Sequence, residues 1–116
     1  MKIQERFDEF LKKIKNAIVV ALVDDEGEII IYSFDEDKIR DDDVRLFAAH
    51  IVHTMAKDVN GGKSDQIFIY NDKHSCYAKR LKDNLVAIII FEGRSYKGYS
   101  ELRADEIIEK VEEEFF

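Results

Sequence analysis

The chain has 116 residues, enough for about one ordinary domain that buries roughly two-thirds of its unfolded surface. Its 25 acidic and 18 basic residues leave a formal charge of −7, which argues against a duplex nucleic-acid binder driven by counterion release. The single cysteine, Cys76, excludes an internal disulfide and a cysteine-rich zinc site.

No apolar run approaches the ~18 residues of a membrane span, and the opening MKIQERFDEF is too charged for a signal peptide. The expectation is one cytoplasmic domain over residues 1–116 with no nucleic-acid or membrane partner. The absence of proline, with abundant Glu, Lys and Ile, further suggests a heat-adapted source.

In chain order, residues 2–15 place Ile3, Phe7, Phe10, Leu11 and Ile14 at helical spacing with charge on the other face, which predicts an amphipathic helix. Ala17–Val23 is then apolar without a break, followed by Asp24-Asp25-Glu26-Gly27 and a second β-rich run, Glu28–Phe34. This reads as a hairpin in which Gly27 supplies a positive φ. The unbroken strand implies that both faces of its sheet are covered. Residues 35–43, DEDKIRDDD, read as a solvated acidic loop ending in helix-capping aspartates. They lack the D-x-D-x-D-G spacing of a calcium loop.

Residues 43–59 form the most informative helix. Val44, Phe47, Ala48, Ile51, Val52, Met55 and Val59 make a core stripe at i, i+3, i+4 spacing. The outer side carries Leu46, Ala49, His50, His53, Ala56 and Lys57, sparse in charge, and so is a candidate contact surface. Asn60-Gly61-Gly62 should stop this helix. Strands are then expected at Gln66–Tyr70, 75–81 and 85–91, with turns at 71–73 and 82–84. A final helix from about residue 100 carries Leu102, Ala104, Ile107, Ile108, Val111 and Phe115 inward. The order α-β-β-α-β-β-β-α, with hairpin-connected strands that need cover on both faces, predicts a three-layer α/β/α sandwich around a five-stranded antiparallel sheet.

Chemistry-bearing patterns are few. His50-Ile-Val-His53 lacks the glutamate and the four-residue spacing of a metalloprotease helix. The readings left are a pair of interface or surface histidines, which is the expectation, and a zinc or nickel site built across a dimer. If these face a partner, their protonation near pH 6.5 should weaken association. His74 and Cys76 lie two apart on a strand and so share a face. No acidic orienter or binding-loop signature accompanies them, and cysteine is commonly a small buried filler. Asn60-Gly-Gly-Lys-Ser64 ends like a phosphate loop but follows a helix and precedes a strand, the reverse of that context. The expectation is a non-enzyme with no cofactor and no metal site.

The stretch from Ala17 to Ser33 with its glycine turn, the central helix with Ala48, Ala49 and Ala56, and the three further strands and terminal helix together resemble the roadblock (roadblock dynein light chain) family. The likeness is to its bacterial and archaeal members. It implies a homodimer, or a heterodimer with a paralogue, in which the third strands of two subunits pair edge to edge and the central helices lie side by side. It further implies that this surface binds and regulates or scaffolds a small Ras-like GTPase without catalysis. The interface residues so implied are Leu46, Ala49, His50, His53, Ala56 and Lys57 on the helix, with Gln66, Ile67, Phe68, Ile69 and Tyr70 on the strand. The competing reading is a profilin-like or PAS-like small-ligand sensor, which would need a cavity against the sheet.

Overall fold

The computed structural model describes residues 3–14, 16–56, 66–70, 73–93, 106 and 108–113. Helix α1 spans Ile3–Lys13, strand β1 Ala17–Val23, β2 Ile29–Phe34, helix α2 Asp41–Ala56, β3 Gln66–Tyr70, β4 His74–Arg80 and β5 Val86–Glu92. Helical residues 108–113 form α3. The element order is the expected one. Residues 57–65 and 94–105, with the predicted helix stop at Asn60-Gly61-Gly62 and the start of the last helix, lie outside the described residues.

All strand pairs are antiparallel and the sheet runs β2-β1-β5-β4-β3. The two unbroken apolar strands, β1 and β5, are neighbours near its middle, as continuous burial requires. Their side chains divide by the two-residue period of a strand. Val19, Ala21 and Val23 of β1, with Val86, Ile88 and Ile90 of β5, join Val44, Ala48, Ile51, Val52 and Met55 of α2 in one core. On the opposite face Val20, Leu22, Ala87, Ile89 and Phe91 pack with Phe7 and Phe10 of α1 and with Ile108 and Val111 of α3. A register shift between Ala17 and Val19 puts consecutive Ile18 and Val19 into the same α2-side core, as an extra residue in a bulge does.

Several element boundaries differ from expectation by one or two residues. α2 begins at Asp41, not 43, because all three aspartates sit in its first turn, where negative charge opposes the helix dipole. β4 begins one residue earlier, at His74. The acidic turns are built by their own carboxylates. Asp24 Oδ1 accepts from the amides of Glu26 and Glu28, both at 2.9 Å, and Asp35 Oδ1 accepts from the Asp37 amide at 3.0 Å. Such side-chain bonds are the reason aspartate favours turns.

Gly27 takes φ +88° as anticipated, and a Cβ there would stand 2.8 Å from the Cα of Ala49. The hairpin tip is therefore pressed against the backbone of α2. A second tie joins β2 to α2: the Tyr32 hydroxyl donates to Asp41, and Arg45 Nε donates to the other Asp41 oxygen at 2.9 Å. The Arg45 guanidinium also lies 5.6 Å over the Tyr32 ring, within cation–π range. The bonds from Tyr32 and then Arg45 hold the Asp41 carboxyl below its ordinary pKa, and the bond to Asp41 raises that of the Tyr32 phenol.

Two outcomes follow for stability. Gly27→Ala should lower the urea-unfolding free energy by about 2 kcal/mol or more, since left-handed backbone costs an L-residue roughly 1–2 kcal/mol before any clash. Gly93→Ala, also at positive φ but with open space at its Cβ, should cost only the backbone part. Asp41 is ionised more readily when folded, so its contribution is present above the ordinary carboxylate range and fades as pH falls through the lowered pKa. The stability gap between wild type and Asp41→Asn should therefore close on acidification in pH-dependent urea melts.

Candidate functional site

The outer face of α2 is built by helical geometry. At about 100° per residue, Val44, Ala48, Ile51 and Met55 point at the sheet, and Leu46 and His53 fall nearly opposite. Ala49, His50, His53 and Ala56 are exposed. Leu46, at 68% exposure, and Ile30 of β2, at 48%, are the exposed large hydrophobics among the described residues. Val44, Ile51, Val52 and Met55 of α2 are buried and Phe47 half-buried, so Leu46 is the exposed large hydrophobic of this helix.

The predicted helix positions separate into two flanks. Ala49, His53 and Ala56 line an open cleft beside Asp25 and Glu26 of the hairpin tip. His50 borders this cleft and also a second cavity on the β3 side, where it meets Phe47, Ile51 and Ile69. Gly27 of the hairpin tip lies against the backbone of Ala49. The Thr54 hydroxyl donates to the His50 carbonyl at 2.8 Å, which turns that polar group back onto its own helix. Lys57 lies outside the described residues.

β3 is an outer strand of the sheet, paired with β4, and sits on the side of α2 that carries Phe47 and His50. Ile67 and Ile69 are half-buried toward α2. Phe68 faces the other way, edge-on to Tyr77 at 5.5 Å and stacked over Phe91 at 6.5 Å. Gln66 is exposed, its Oε1 accepting from the Tyr77 hydroxyl at 3.1 Å. Of Tyr70 only the backbone, in the strand, is described. The other outer strand, β2, is blunted: Gln4 of α1 donates to the Tyr32 carbonyl at 2.9 Å, and Ser33 Oγ donates to Asp8 at 2.6 Å.

His74 and Cys76 do share a face, and both line the β3-side cavity. Cys76 is buried, and burial alone pushes its thiol far above the ordinary value. The thiolate that nucleophilic chemistry requires is thus disfavoured at neutral pH. His74 stands edge-on to Phe47 at 5.4 Å. Among the described residues no group of three His, Cys, Asp or Glu side chains is placed to hold a metal ion together, and no helix is long and apolar enough to cross a membrane.

Two features escaped the sequence reading. Phe47, assigned to the core stripe, is half-buried and walls the cavity. Its position about 80° from the stripe's centre is the signal that could have shown this. In the Tyr32–Asp41–Arg45 cluster, the Asp41–Arg45 pair at i, i+4 is open to a helical reading, whereas Tyr32 joins it from another element.

No family model and no curated protein matches the chain. Solved structures do. MglB of Myxococcus xanthus is 24% identical, with a TM-score of 0.74 over 99% of this chain and 95% of that one. A structure described as MglB with tetrameric arrangement is 13% identical, with a TM-score of 0.75 over 95% and 88%. A Roadblock/LC7 domain from Streptomyces avermitilis is 8% identical, with a TM-score of 0.75 over 99% and 98%. At these identities the likeness is one of architecture, and the architecture of this chain is the roadblock fold of those bacterial proteins.

Proposed function

We propose that this chain is a bacterial- or archaeal-type member of the roadblock family, a non-catalytic adaptor that pairs with a second copy or a paralogue. The paired surface binds a small Ras-like GTPase and regulates or scaffolds it. The observation that carries the reading is the outer face of α2. Leu46 stands open there, with Asp42 and Asp43 one turn before it and Ala49 and His50 one turn after, and the β3 edge lies on its flank. Edge strands left open invite pairing, and a two-fold axis across β3 would bring two such faces together. A structural neighbour described as tetrameric supports self-association. The GTPase assignment rests on the family resemblance.

Sedimentation velocity at micromolar concentration should show a dimer. Leu46→Asp should leave the circular dichroism spectrum intact and weaken association by about a hundredfold, because it places a charge in a desolvated apolar contact. A wild-type protein that stays monomeric, with and without its paralogue, sinks the pairing model. With the dimer in hand, a Ras-like GTPase from the same source, loaded with GDP or a non-hydrolysable GTP analogue, should bind wild type and not Leu46→Asp. Equal binding by both would move the GTPase site off this face.

His50 and His53 add a pH signature. If both residues lie in the interface, the dimer dissociation constant should rise between about pH 8 and pH 5.5. A constant that does not change places them outside it.

A further inference from the structure

Beneath the β3-side edge of α2 lies a cavity of about 210 Å³, bordered by His50 and Ile69 of the proposed pairing surface. Its walls are Phe47 and Ile51 from the helix, Ile69 from β3, Cys76 from β4 and Ile90 from β5, with His50 and His74 completing its lining. We propose that this cavity binds a small neutral aromatic molecule, of about the size of indole, carrying one hydrogen-bonding group.

Size gives the first constraint. An apolar protein cavity of roughly 150 Å³ accepts benzene, so the additional space here suits a second fused ring and not a drug-sized ligand. The lining gives the second. Three isoleucines, a phenylalanine and a thiol kept in its neutral form by burial make the described lining largely apolar, so an ionic group inside would find polar partners among the described residues only at the two imidazoles and would lose most of its hydration.

The two imidazoles are the groups that can donate to or accept from a single polar substituent. The T-shaped pairing of His74 with Phe47, at 66° between planes, is a geometry that a further ring can extend. The neighbouring cleft, which shares Phe47 and His74, is lined by Lys38, Arg40 and Lys73 and by Glu36, Asp37 and Asp43. The arrangement also supplies, on the α2 face, the sheet-side cavity that a small-ligand sensor requires.

Indole is the probe. Titrated into isotopically labelled protein, it should shift the methyl resonances of Ile51, Ile69 and Ile90 in a saturable way, and leave Ile108 and Val111 across the sheet unmoved. Ile69→Phe and Cys76→Met fill the space. Each should weaken indole binding by about tenfold or more while melting no earlier than wild type, because filling a void is tolerated or stabilising. Benzoate, similar in size but charged, should bind more weakly than indole.

The titration is repeated on Leu46→Asp, which separates this proposal from the pairing model. Indole binding by both proteins supports the site whatever the oligomeric state. Binding by Leu46→Asp alone would mean that a second copy fills the cavity, and would overturn the proposal. So would no saturable shift in wild type, or equal affinity for wild type and the two filled variants.

Discussion

One constraint shapes the molecule: a five-stranded sheet, apolar on both faces, covered by two helices on one side and by a single helix on the other. Strands spaced about 4.8 Å apart make the sheet roughly 19 Å wide between its outer members, whereas a helix with its side chains is about 10–12 Å across. α2 alone is narrower than the sheet it covers. The outer strands stay only partly buried on both faces, Tyr32, Phe34, Ile67 and Ile69 on the α2 side and Ile31 and Phe68 on the other, so both margins are less covered than the middle.

The two margins are treated differently. On the β2 side the gap is closed from within the chain: the hairpin tip at Gly27 presses on α2, the Tyr32–Asp41–Arg45 cluster ties strand to helix, and Gln4 and Asp8 of α1 bond to β2. On the β3 side the described residues leave a cavity beside the exposed crest of α2. Much of the acidity belongs to the closed side and its turns. Asp24, Asp35 and Asp41 accept hydrogen bonds that shape the backbone or fix α2. The negative charge is therefore partly architectural as well as a source of solubility.

This division also explains what could be read from the sequence. β1 and β5 were legible because continuous apolar runs admit few other placements, and the face of α2 was legible because helical periodicity separates Leu46 from Val44 and Ile51. The Gly27 conformation followed from its acidic turn. What periodicity cannot carry is the distance between elements. It did not show that the Gly27 turn comes against the Ala49 backbone, where Gly27 has no room for a Cβ. It placed Phe47 in the core, although the helix is too narrow to bury it fully. It judged both sheet faces to be filled, although the gap beneath α2 depends on how far the helix stands from β3. The start of α2 was misplaced by two residues because Asp41 serves the helix and Tyr32 at once.

The central claim is that the β3 margin is completed from outside the chain and the β2 margin from inside. Amide hydrogen exchange across a dilution series tests it most directly, because exchange reports local opening residue by residue. Protection at Ile67 and Ile69 should rise with protein concentration and level off as the dimer saturates, while protection at Ile31 and Tyr32 stays constant. Concentration-independent exchange at β3, or a concentration dependence confined to β2, would contradict the account.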